Sequence, residues 1–269
     1  MTRRSTGTYV YGVIAGGRRR EVMTRGALEA AVPNRSRGLP GTGPVRLLEL
    51  ERDLFAAVAD APLRVYGEEP LARKLSDLEW VSRAAVAHES VLESFVDAVA
   101  VVPMKLFTLF TSDERALGHL RAERRRIDAT VKRVANQQEW GVRVVLDRPP
   151  AAARTRARPA GGGAASGVSY LREKKAQRDV ATELAARAGQ TADDLFDRLT
   201  SRARLSKRRA ANDIAVGGGR LLLDAAFLVP RSQSKSFGSA VAREAKALGR
   251  AGYAVTMNGP WPPYSFVQD

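Results

Sequence analysis

The sequence predicts an α+β fold in two domains. Segments with the two-residue period of a strand alternate along the chain with segments of three- and four-residue spacing. A stretch rich in Pro, Ala, Arg and Gly at 148–166, with almost nothing to bury, separates two such runs. The 269 residues also exceed the ~100–200 that a single core usually organises. The expected layout is an N-terminal α+β domain at 1–147, a linker or insertion at 148–166 and a C-terminal α+β domain at 167–269.

In the N-terminal half, Thr8 to Ile14 reads as the first strand, closed by Ala15-Gly16-Gly17. No GxGxxG or GxxxxGK[ST] follows those glycines, so they mark a strand-ending turn and no phosphate loop. Arg18 to Pro44 is a basic, Gly- and Pro-rich loop with at most a short element around Ala27 to Val32. Val45 to Glu51 and Leu54 to Ala59 form a hairpin turning near Arg52-Asp53. One helix is expected from Pro70 to Ala98, with Val81, Ala85, His88, Leu92, Phe95 and Val99 along its face. Val101 to Phe110 reads as a strand. Ser112 or Asp113 caps the next helix, in which Leu117, Leu120, Ile127, Val131 and Val134 form a face that Arg124 interrupts. That arginine must be partly exposed or meet a carboxylate. Glu139-Trp140-Gly141 ends the helix, and Val142 to Leu146 is a buried-type strand.

In the C-terminal half, a long charged helix is expected from Val168 to Arg209, with Val180, Leu184, Ala188, Leu195 and Leu199 as its apolar stripe and a break possible at Gly189. Arg220 to Val229 is a strand, Ser234 or Ser236 caps a helix ending near Gly249, and Tyr253 to Met257 is the last strand. This order of elements predicts that at least one domain is a modified ferredoxin-like fold.

Composition excludes much chemistry. The chain has no cysteine, so disulfides, thiolate metal sites and cysteine nucleophiles are out. Its two histidines, His88 and His119, fall on different helices without HxxxH or HExxH spacing; His88 sits on an apolar stripe and reads as a core histidine. Ser166 lies in linker composition without a GxSxG pattern, and pairs such as Asp193-Asp194 and Glu68-Glu69 read as solvated or helix-start charges. No catalytic residue, metal site or cofactor is expected, and the chain is read as a non-enzyme. The apolar start at Thr8 alternates as a strand does and precedes Arg18-Arg19-Arg20, so it is no signal peptide. No run approaches the ~18 apolar residues of a membrane span.

The formal net charge of +15 raises nucleic acid as a partner. The basic residues are spread over the chain, and strand Leu221 to Val229 has Phe227 as its one aromatic, without the basic-glycine-aromatic sequence that stacks bases. A basic ferredoxin-like nucleic-acid binder is therefore the alternative reading, not the favoured one.

The C-terminal segment Asn258 to Phe266 is different in kind. Three prolines stiffen it and hold out Trp261, Tyr264 and Phe266 at low entropic cost, which suits docking on a partner or on the segment's own domain. GPWPPYSF at 259–266 resembles the C-terminal signature of the GvpF/GvpL gas vesicle proteins. TYVYGVI at 8–14, RDLFAAVADAP at 52–62, VVPMKLFTLF at 101–110, EWGVRVV at 139–145 and LLLDAAFLVP at 221–230 are similar to other parts of that family, in order. Many relatives carry Arg-Phe-Gly after the central proline, where this chain has Lys105-Leu106-Phe107, which leaves an F-type or an L-type role open.

The resemblance implies an accessory or minor structural protein of gas vesicle assembly, at the gas vesicle and in the cytoplasm. Its implied partners are the small hydrophobic shell protein and other accessory proteins, held in a chaperone- or nucleation-like role. Trp261, Pro262, Pro263, Tyr264 and Phe266, with Phe107 and Lys105 on an adjacent strand, are the expected partner-binding candidates. A second expectation gives that role to the charged helix at 168–209.

Overall fold

The computed structural model describes residues 5–17, 24–33, 38–146, 167–209 and 219–267. The expected linker at 148–166 and the arginines at 18–20 lie outside them. The chain groups into two compact units, Met1–Glu139 with Pro260–Asp269, and Trp140–Gly259. The C-terminal segment thus belongs with the first unit, where the sequence reading assigned it to the second.

The first unit begins with β1 (Thr6–Ala15), α1 (Arg25–Ala31), β2 (Arg46–Glu51) and β3 (Leu54–Pro62). Short helices α2 (Leu63–Tyr66) and α3 (Glu68–Lys74) lead into α4 (Leu78–Glu93), followed by β4 (Ala100–Pro103) and β5 (Leu109–Phe110). Helices α5 (Asp113–Ala122) and α6 (Arg124–Val134) come next, then β6 (Gln137–Leu146), which runs on into the second unit. The sheet order is β2-β3-β1-β4, with β5 also on β1, and these pairings are antiparallel.

Strand β1 is the spine. It is buried from Gly7 to Ala15, which requires a near-continuous apolar sequence and explains why it was legible. A bulge at Tyr11 separates the registers Val10↔Val58 and Gly12↔Ala57. Gly12 is there because a Cβ would come within 2.8 Å of the Val102 carbonyl oxygen. The core beneath gathers Tyr9, Ile14, Phe55, Leu92 and Phe95.

The helix expected over Pro70 to Ala98 is broken at Leu75–Asp77. The Asp77 carboxylate accepts the Trp80 N–H at 3.0 Å and restarts the helix as α4. This restart moves the buried face to Trp80, Ala84, His88 and Leu92, leaving Val81 and Ala85 half-buried. Ser112 caps α5 by accepting the Arg115 N–H, and Glu123 divides α5 from α6. Arg124 meets carboxylates, as its place on an apolar face requires: Asp128 at 2.8 Å, and Glu51.

The second unit runs from β6 through α7 (Gly167–Thr200), β7 (Leu205–Arg208), β8 (Arg220–Pro230) and α8 (Ser234–Gly249) to β9 (Tyr253–Trp261), with sheet order β7-β8-β6-β9. Its core gathers Val142, Leu195, Leu199, Phe227, Val229 and Phe237. The expected helix to Arg209 ends at Thr200. Arg204 then donates its N–H to the Leu228 carbonyl, and Leu205 to Arg208 pair antiparallel with β8. This strand is polar because it lies at the sheet edge: Arg208 rests over Phe196 at 4.3 Å and pairs with Asp193 at 2.6 Å. On α7 the buried positions are Ala188, Ala192, Leu195 and Leu199, whereas Val180 is 52% exposed. Neither Ser234 nor Ser236 caps α8; Gln233 precedes it without a side-chain bond. Strand β9 continues past Met257 to Trp261 and tolerates Pro260 because it is an edge strand.

Candidate functional site

The candidate residues fall into two neighbourhoods of the first unit, the C-terminal segment and the turn between β4 and β5. Trp261 closes β9 half-buried, and Pro262 and Pro263 are buried. The chain then makes one 3-10 turn over Tyr264–Phe266, in which Tyr264 N–H donates to the Pro262 carbonyl at 2.7 Å and Phe266 N–H to that of Pro263 at 3.0 Å. Pro263 keeps the fixed proline φ at −77°, and its ψ of 56°, far from that of polyproline II, reverses the chain.

Glu139 holds the turn. Its Oε2 accepts the Ser265 N–H and its Oε1 the Ser265 hydroxyl, each at 2.8 Å. The glutamate is only 1% exposed, so these charge-assisted bonds replace water that burial has removed. Phe266 is buried and Tyr264 packs against the core of β1 and α4. Burial, and then the negative charges of Glu89, Glu93 and Glu139, push the Tyr264 phenol well above its usual range. Its hydroxyl is buried and meets no hydrogen-bond partner among the described residues.

Phe107 lies in a turn and not on a strand, since β4 ends at Pro103 and β5 starts at Leu109. Its φ is 66°, a left-handed conformation that costs an aromatic residue energy. Three contacts hold it. The ring stacks on Trp80 at 5.4 Å with planes 9° apart, the ring packs on the core, and the N–H donates to the Tyr9 hydroxyl at 3.2 Å. Behind it the Tyr9 hydroxyl lies 2.7 Å from His88 Nδ1. Burial holds His88 down at about 4, partly offset by its hydrogen bond to the Met104 backbone. Lys105, in the same turn, is exposed, and its carbonyl accepts bonds from Thr108 N–H and Oγ1.

The turn borders a cleft of about 370 Å³ whose wall includes Pro103, Met104, Lys105, Ile127 and Val267. Among the described residues, no group of three or more His, Asp or Glu side chains is placed to hold a metal, and no helix is long and apolar enough to cross a membrane. The structure brings Tyr264, Phe266, Phe107 and Lys105 into one unit. Sequence reasoning missed Glu139, Trp80 and the cleft. The one available signal for Glu139 was a carboxylate standing between Gln138 and Trp140 at the head of an apolar strand.

A family described as "Gas vesicle synthesis protein GvpL/GvpF" matches residues 7–268. Gas vesicle protein L of Streptomyces sp. (strain CB03234) is 30% identical over 242 residues, covering 89% of this chain and 88% of that protein. Gas vesicle protein F of the same strain is 27% identical over 275 residues, covering 97% and 99%. The crystal structure of gas vesicle protein GvpF from Anabaena sp. PCC7120 superposes with a TM-score of 0.64 at 16% identity, covering 98% of this chain and 97% of that one. GvpF from Microcystis aeruginosa gives 0.63 at 17% identity, covering 98% and 99%. At those identities the two crystal structures speak for the fold.

Proposed function

Because this chain belongs to the gas vesicle synthesis protein GvpL/GvpF family, we propose that it is a non-catalytic accessory protein of gas vesicle assembly. It docks the small hydrophobic shell protein, and other accessory proteins, in the cytoplasm at the forming vesicle. By docking shell subunits it limits their aggregation or nucleates their ordered addition. The docking surface is the Met104–Thr108 turn with the cleft beside it. The observation that supports this choice is the contrast between the two candidate neighbourhoods. Pro262, Pro263 and Phe266 are buried, Tyr264 packs on the unit's core and Glu139 holds Ser265 between them, while the Met104–Thr108 turn is held in a strained conformation and presents Lys105 to solvent. A modified ferredoxin-like C-terminal domain belongs to the same reading, supported by the β6-α7-β7-β8-α8-β9 sequence and the β7-β8-β6-β9 order.

The test is co-expression with the shell protein followed by affinity capture. Lys105→Glu should lose the shell protein while Trp261→Ala retains it. The reverse pattern moves the surface to the C-terminal segment, and failure of the wild-type chain to retain the shell protein removes the reading altogether.

One observation favours a second surface. Arg172, Lys174, Lys175 and Arg178 on α7 are exposed, and Val180 continues the apolar stripe out into solvent. Charge reversal at Arg172, Lys175 and Arg178 should leave shell-protein capture unchanged if the turn is the main surface, and abolish it if α7 is.

A further inference from the structure

We propose that the cleft beside the Met104–Thr108 turn receives a short acidic protein segment with an aliphatic anchor. This rests on the docking reading above and names the chemistry of its occupant. Apolar side chains form part of its base, since Val102, Leu120 and Ile127 are buried there beside Thr130. Pro103, Met104 and Val267 are half-buried at its sides, apolar surface that an aliphatic side chain would cover. At about 370 Å³ the cleft holds a side chain or two with their backbone and not a helix face.

The rim selects the sign of charge. Among the described residues Glu123 is the one carboxylate in the lining, and Arg126 Nε sits 3.1 Å from it. Lys105 has no ion-pair partner among the described residues. Outside the cleft on α5 and α6, Arg121, Arg125 and Lys132 are exposed, while Arg124 is taken by Asp128 and Glu51. The uncompensated field is positive and favours a carboxylate-bearing segment. A nucleic-acid strand fits poorly. Among the described residues the one aromatic ring in the lining is His119, which packs at 40° against Phe110 at 5.1 Å, so the cleft offers no row of aromatic faces on which successive bases could stack. The left-handed Phe107 and its anchors fix the turn before any ligand arrives, which lowers the ordering cost of binding.

Met104 supplies a local probe, because the chain has only four methionines and Met257 lies in the other unit. The full chain, with 13C-labelled methionine methyls assigned by Met104→Leu, is titrated with a short peptide alternating glutamate and leucine. The Met104 signal should shift and that of Met257 should not. Replacing glutamate by glutamine, or leucine by serine, should weaken binding at least about tenfold. Lys105→Glu with Arg126→Glu should abolish the shift, and the milder Lys105→Gln should weaken it if the double variant does not fold. A lysine-leucine peptide or an oligothymidine that shifts Met104 equally well overturns the proposal, as does an unchanged titration in the charge variants. Shell-protein capture by the wild type without a Met104 shift from the acidic peptide overturns the occupant and leaves the docking reading standing. A Met104 shift without shell-protein capture supports the occupant and overturns that reading.

Discussion

The Tyr9 hydroxyl lies 2.7 Å from His88 Nδ1 in the centre of the first unit, and it accepts the Phe107 N–H as well. Burial keeps the imidazole neutral, and the neutral ring shares one hydrogen bond with the Tyr9 hydroxyl through Nδ1 while it also bonds to the Met104 backbone. One set of bonds therefore links β1 and α4 to Met104 and Phe107 of the proposed docking turn.

That arrangement needs a neutral imidazole. His88 has a pKa of about 4 in the folded chain against an ordinary 6.5, so between those values the unfolded chain binds more protons. Its contribution is complete above pH 6.5 and is lost as pH falls through 4, roughly 3 kcal/mol at about 1.4 kcal/mol per unit. Urea denaturation from pH 7 to pH 4 should show stability falling with acid, and His88→Leu should flatten part of that slope. An unchanged slope in the variant would assign the acid sensitivity elsewhere.

Removing Glu139 takes the buried acceptor from two donors of the half-buried Ser265. Glu139→Ala should cost about 1–3 kcal/mol, and Ser265→Ala less. Because the residues bond directly, the double variant should cost clearly less than the sum of the two, by about 0.5–3 kcal/mol in a double-mutant cycle. Additive costs would mean the two bonds contribute nothing to stability.

Tyr264 buries a hydroxyl that meets no hydrogen-bond partner among the described residues and lies in the field of the Glu89, Glu93 and Glu139 carboxylates. Tyr264→Phe keeps the ring and removes that cost, so its thermal midpoint should equal or exceed the wild-type value. A loss above about 1 kcal/mol would reveal a bond to that hydroxyl.

At Phe107 the usual ranking of small residues should invert. Both Phe107→Ala and Phe107→Gly lose the stack on Trp80, but only alanine keeps a Cβ clash at φ 66°. Glycine should be the more stable of the two by about 1 kcal/mol, measured by chemical denaturation.

Gly189 sits inside α7 with nothing within 4 Å of where a Cβ would stand. Gly189→Ala should stabilise the second unit by about 1 kcal/mol, seen as protection from hydrogen exchange in α7 and β8. If it destabilises, the helix needs that position flexible.

The sequence made legible those elements whose side chains face one environment throughout. Strand β1, β3 from Leu54 to Ala59, β8 from Ala225 to Val229, and Leu195 and Leu199 on α7 carry apolar residues at buried positions. The break before α4 was written in Asp77, a capping residue, but the long apolar run around it outweighed one polar side chain. Strand β7 was hidden because an edge position leaves Lys207 and Arg208 in water. Of the candidate site, the residues could be named but not their surroundings. The turn at Met104–Thr108 reads as strand because nothing local marks a left-handed phenylalanine, and Glu139 meets Ser265 across a separation of 126 residues, beyond any periodic signal.

The grouping of Pro260–Asp269 with Met1–Glu139 has a consequence for synthesis. A ribosome makes the chain in one direction, so everything from Trp140 to Gly259 emerges before Ser265 can reach Glu139. The Glu139 carboxylate and the apolar surface that Tyr264 and Phe266 cover stay open to the cell for that interval, although their own unit was translated first. Nascent chains therefore have a window, closed only once Ser265 has emerged, in which a chaperone or assembly partner can act on this unit.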